Sequence, residues 1–167
     1  LYVNKSVINS LEPPFIDLHA ATWIDKERFE IREDAQRFEN WESYVSGRIG
    51  LATAVDYALR IGLPAIQDRV WYLAKILRAW LTDLPGVVVR DLGKEQCGIV
   101  TFTKEGEASS IVSQRLLSKG INTTVSLAKY ARLDMGSRGL DEVVRASVHY
   151  YNTEEEIERF CEVLAHC

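Results

Sequence analysis

The sequence predicts an α+β fold: a mostly antiparallel sheet with helices on one face. Three observations carry this expectation. An apolar stripe at helical spacing runs through residues 64–84, the period changes to two after Pro85-Gly86, and short strand-like runs then alternate with helices as far as the C-terminus.

Residues 1–24 alternate short apolar and polar pieces, and Pro13-Pro14 forbids regular helix between Leu11 and Phe15, so extended segments are expected. From Asp25 to Glu42 charge is dense around Phe29, Phe38 and Trp41, which reads as a surface loop or helical turn. A helix is expected from Ser43 to Ile61, with Ile49, Ala52, Val55, Ala58 and Leu59 on its apolar side and Gly62 as its stop. A second helix begins at Pro64, where Ile66, Val70, Leu73, Leu77, Leu81 and Leu84 step along one face. Strands follow at Val87–Arg90 and Ile99–Thr103, a helix at Ala108–Lys119 ended by Gly120, and a strand at Ile121–Val125. Asp134–Asp141 reads as a loop and Val143–His149 as the fourth strand. Thr153 with Glu156 three residues later has the spacing of a capping box, opening a last helix that runs to about Leu164.

The chain's 167 residues suffice for one domain or one domain plus a remnant, burying roughly 70% of the unfolded surface. The 47% apolar and 26% charged fractions are those of an ordinary globular protein. A net charge of −4 with intermixed signs leaves no electrostatic footprint for nucleic acid. Cys97, Cys161 and Cys167 are odd in number and lack metal-ligand spacing, so reduced, cytosolic thiols are expected, with no metal. Cys97, at the start of a strand, and Cys161, on a helix's apolar side, read as buried small hydrophobes. No run of apolar residues is long enough to span a membrane.

The richest stretch is "VVRASVHYYNTEEEIERF" from Val143 to Phe160, a short strand that delivers Arg145 and then stops at a capped helix. An arginine held there can present its planar fork to a carboxylate or phosphate. Taken with "RFENWE" at 37–42 and "GIVTFT" at 98–103, the chain resembles the C-terminal part of class V aminotransferases, the pyridoxal-phosphate (PLP) enzymes related to cysteine desulfurases and isopenicillin epimerases. The resemblance covers nearly the whole chain. It implies the small domain of a fold-type I PLP enzyme over residues 63–167 and the end of the large cofactor domain over residues 1–62.

The resemblance assigns the arginine at Arg145 to the substrate α-carboxylate and implies a homodimeric, cytoplasmic lyase, epimerase or transaminase acting on an amino acid. His149, four residues on, shares a strand face with Arg145 and either lines the substrate pocket or covers the sheet. In the family, "RFE" precedes a glycine-threonine pair that reaches the cofactor phosphate of the partner subunit. Here Trp41 and Glu42 hold those places, and a carboxylate at Glu42 is repelled by phosphate, so either Asn40 or the local backbone at Trp41 makes the contact or this branch arranges its dimer differently. Arg37 and Glu39 read as a structural ion pair, and Asp17-Leu-His19 as a surface feature. Met135-Gly-Ser-Arg-Gly139 lacks the strand, glycine pattern and helix of a phosphate loop and reads as a flexible connection.

Leu1-Tyr2-Val3 resembles the end of a strand that follows the family's Schiff-base lysine, which places that lysine upstream of Leu1. The resemblance thus implies a fragment that is inactive alone and binds no PLP covalently. Residues 122–131, where desulfurases carry a nucleophilic cysteine, contain none, which disfavours desulfuration of the usual kind. The alternative is a non-catalytic binding or interaction module derived from the same family. Under either reading, the surface turned toward the absent part of the enzyme is expected to be apolar and to promote self-association.

Overall fold

The computed structural model describes residues 1–166; Cys167, counted above among the reduced thiols, lies outside the described residues. The chain divides into two compact units, Leu1–Tyr57 and the part from Ala58 onward. The division falls inside the first helix rather than at Gly62, because that helix runs unbroken across it.

In the first unit, β1 (Ala21–Trp23) and β2 (Phe29–Ile31) form an antiparallel hairpin, Ala21 opposite Ile31 and Trp23 opposite Phe29. The charged stretch read as a surface loop or helical turn therefore holds a strand, β2, as well as a helical turn at Ala35–Phe38. Short 3-10 turns at Ile8–Ser10 and Ala35–Phe38 flank the hairpin, and Ile8, Ala20, Ala21 and Arg37 are buried. The helix α1 (Val45–Ile61) begins in this unit and has no buried residue. It ends where Gly62 turns the backbone to φ +98°, a conformation that side-chain-bearing residues rarely adopt.

The second unit opens with α2 (Leu63–Asp83), Pro64 sitting in its first turn. A four-stranded antiparallel sheet follows in the order β3 (Val87–Val89), β4 (Ile99–Lys104), β6 (Glu142–Ser147), β5 (Thr124–Leu127). Helices α3 (Ser109–Ser118) and α5 (Glu154–Ala165) join α2 on one face. Leu73, Leu77 and Leu81 of α2, Val112 and Leu116 of α3, and Ile157, Phe160, Cys161 and Leu164 of α5 enclose Val100, Phe102, Val144 and Ala146 of the sheet. Phe102 meets Phe160 edge-to-face at 6.0 Å between centroids, the geometry favoured by the ring quadrupoles.

The segment read as a flexible loop is folded. The short helix α4 (Arg132–Met135) and a 3-10 turn (Gly136–Arg138) press Met135 against Leu140 and Val143, closing a small second core on the opposite face of the sheet. The strand expected at 121–125 lies later, because Ile121 packs on the main core before the ladder begins at Thr124. The last strand stops at Ser147, not at His149.

Candidate functional site

The register of the sheet fixes what surrounds Arg145. On β6, Val144 and Ala146 point into the helical core while Arg145 is exposed, so alternation sends it to the opposite face. Thr101 of β4 and Thr124 of β5 stand directly opposite Arg145 on either side. One strand further out, the Arg90 N–H donates to the Thr101 carbonyl at 2.7 Å, extending the row to Arg90, Thr101, Arg145 and Thr124. The adjoining row holds Val88, Thr103, Val143 and Ser126. Neither row contains a carboxylate. Arg145 itself makes no hydrogen bond or ion pair with any described residue, so its planar fork is free.

The strand beside Arg145 is held by a largely buried ion pair. Asp91 accepts from the Thr101 N–H at 2.8 Å and the Thr101 hydroxyl at 2.6 Å, and its other oxygen meets Arg78 Nε at 2.7 Å. Both side chains of the Arg78–Asp91 pair are largely buried, and the same guanidinium donates to the carbonyls of Cys97 and Ile99. Gly98 is obligatory between them: a Cβ there would lie 2.8 Å from the Val148 carbonyl oxygen, across the ladder bond that Val148 N–H makes to Gly98. Cys97 is exposed rather than buried, because it lies in the approach to β4 rather than in the strand. Cys161 is buried as expected, and burial pushes its thiol up to about 11.

Beyond Ser147 the chain turns sharply, which takes His149 off the strand. The His149 N–H donates to the Asn152 side chain at 2.8 Å, and the Asn152 N–H returns to the His149 carbonyl at 3.0 Å. Its ring stacks on Tyr151 at 4.7 Å and lies 4.5 Å from that of Tyr150. The four-residue spacing therefore does not place His149 and Arg145 on one strand face, because the ladder has ended between them. The capping box is present in full: Thr153 Oγ1 accepts from the Glu156 N–H while Glu156 accepts from the Thr153 N–H. Asn152 also donates to Glu156 at 2.9 Å, so "NTEEE" shapes the turn that ends the arginine-bearing strand.

In the first unit the expected Arg37–Glu39 ion pair does not form. Arg37 donates to Asn9 at 3.0 Å rather than pairing with Glu39, whose carboxylate instead lies 3.5 Å from His19 Nε2. Asp17 accepts from the Trp41 N–H at 2.7 Å and from the N–H groups of His19 and Ala20; these bonds, with one from the Asn40 side chain, hold its carboxyl below the usual range. Trp41 also meets His19 edge-to-face at 5.7 Å. The donors of Asn40 and Trp41 thus converge on a carboxylate, an arrangement that does not suit a phosphate. Asp17 and His19 are not an acid–base pair with each other.

Three contributors to the site escaped the sequence reading: Arg69, the Arg78–Asp91 pair and Arg90. Arg69 binds Glu154 across 85 positions of sequence, and no local pattern marks such a partnership. Arg90 was legible as the last residue of a strand, but its neighbours depend on the register.

A family model described as aminotransferase class-V matches residues 1–160. A probable cysteine desulfurase of Pyrococcus abyssi is 29% identical over 170 residues, which covers 98% of this chain and 41% of the relative. Among solved structures, the apo cysteine desulfurase from Thermococcus onnurineus NA1 superposes with a TM-score of 0.86 at 28% identity, over 99% of this chain and 41% of that one. A C-DES mutant with glycine covalently linked to its PLP cofactor shares the fold at 23% identity, with a TM-score of 0.77 over 98% of this chain and 40% of that one. The chain belongs to the class V aminotransferase family. It spans about 41% of the length of the cysteine desulfurases it matches.

Proposed function

We propose that this chain is the C-terminal portion of a PLP-dependent enzyme that acts on an amino acid, and that Arg145 binds the substrate's α-carboxylate. The observation that carries the reading is the guanidinium of Arg145, which pairs with no carboxylate among the described residues and lies on the sheet face away from the main helical core, just before a turn fixed by Asn152, Thr153 and Glu156. A bidentate fork sets the orientation of a carboxylate as well as attracting it. PLP supplies the electron-withdrawing chemistry in this family. The covalent link to it, and the phosphate site, are assigned to parts of the enzyme other than Asn40 and Trp41, whose donors are turned to Asp17.

The enzyme is taken to be a homodimeric lyase, epimerase or transaminase. Desulfuration of the usual kind is not the proposed reaction. The region after Ile121 forms β5 and a 3-10 turn at Ala128–Tyr130, and it presents no thiol. In the enzyme from its native source, Arg145→Gln should raise KM for the amino acid by ~10- to 100-fold, the loss of one charge-assisted contact of roughly 1.5 to 3 kcal/mol. Arg145→Lys should recover only part of this. Unchanged KM in both variants would overturn the assignment.

A further inference from the structure

Resting on that reading, we infer that Arg90 is a second anion-binding residue of the same site, so that the substrate is an amino acid whose side chain carries a second anionic group. Arg90 and Arg145 lie in one row on the face of the sheet away from α2, α3 and α5, separated by Thr101. Two strand spacings place their Cα atoms about 10 Å apart. Long side chains from such positions can reach both ends of one small molecule.

Arg90 is held in position but left unneutralised. Its Nε donates to the Thr103 hydroxyl at 2.9 Å, and Arg138 braces its backbone by donating to the Arg90 carbonyl. Neither contact uses the outer two nitrogens of the Arg90 guanidinium, and no carboxylate pairs with it among the described residues. The nearest acid in sequence, Asp91, is already committed to Arg78 and Thr101. Arg138 is itself paired with Asp134 at 3.0 Å, whereas Arg90 and Arg145 form no ion pair with any described residue.

The surroundings match this charge. Thr101, Thr103, Thr124 and Ser126 line the two rows with hydroxyl groups, that of Thr101 donating to Asp91, and no residue of the rows is itself acidic. A monoanionic substrate would leave one guanidinium facing that surface without a partner. A dianionic one would satisfy both.

The test is a titration of the 167-residue chain at low ionic strength, following the Nε–Hε resonances of its arginines by NMR. The probes are glutarate, with two carboxylates, and butyrate, with one. Wild type should bind glutarate about tenfold more tightly than butyrate, the equivalent of one added charge-assisted contact of ~1.4 kcal/mol. Arg90→Gln and Arg145→Gln should each abolish that preference, and Arg90→Lys should restore part of it. Equal binding of the two probes by wild type, or a preference that survives Arg90→Gln, would overturn the role of Arg90 and leave that of Arg145 standing. A glutarate affinity that is unaffected by Arg145→Gln would overturn the carboxylate reading itself. Retention of the wild-type backbone spectrum in each variant separates loss of binding from loss of fold.

Discussion

Arg69 of α2 holds Glu154 at the first turn of α5 through two parallel hydrogen bonds, of 2.7 and 2.8 Å, and donates to the Asn152 carbonyl at 3.1 Å. One guanidinium thus ties the second unit's longest helix to the turn that closes the Arg145 strand.

That contact has a pH signature. The hydrogen bonds from Arg69 lower the Glu154 carboxyl to about 2 from an ordinary value of 4.5. A depressed folded-state pKa stabilises the fold above the unfolded value, and the contribution is lost as pH falls from 4.5 through about 2. Urea midpoints of wild type should fall more steeply over that window than those of Glu154→Gln. Parallel curves would show that the pair contributes no pH-dependent stability.

Thr153→Ala removes one half of the capping box at the start of α5. The cost should be ~1 kcal/mol in urea unfolding. Because the cap also fixes where the strand ends, amide resonances from Ser147 to Glu156 should shift while those of β3 stay in place.

Phe102 is fully buried and packs on Phe160, so Phe102→Ala should cost about 3 to 5 kcal/mol in the same measurement. Ile49, 64% exposed on α1, offers the contrast: Ile49→Ala should change stability by less than ~0.5 kcal/mol.

The outward apolar side chains of α1, including Ile49, Leu51, Val55 and Leu59, form a surface that water solvates poorly. Sedimentation of the chain should show a mass that rises above 19.0 kDa with concentration, and Ile49→Ser with Leu59→Ser should reduce the rise. A wild-type chain that stays monomeric at high concentration would contradict this.

Thiol alkylation followed by peptide mapping distinguishes the two described cysteines. Exposed Cys97 should react in the folded protein, whereas Cys161, buried and pushed up to about 11, should react only on unfolding.

The sequence showed most clearly those elements whose determinants are local. The leucine stripe of α2, the Gly62 break and the Thr153–Glu156 cap are patterns within one or two turns of helix, and each appears in the structure. The four strands of the second unit were found, but their ends shifted, and β2 was missed: a ladder ends where its partner ends, and β6 stops at Ser147 because β4 begins at Ile99. The loop expected at Asp134–Asp141 was misread because its order comes from Met135 meeting Leu140 and Val143, a contact with no periodic signature. Arg145 could be singled out from its motif. Its relation to Thr101 and Arg90 could not, because a register shift of one residue would have sent them to opposite faces.

The most direct test of the central claim is intact mass combined with an absorbance scan at PLP wavelengths, on the protein from its native source. The account predicts a chain heavier than 19.0 kDa with a borohydride-reducible chromophore. A mass of 19.0 kDa with no chromophore would contradict it and would make the chain a binding module rather than part of a PLP enzyme.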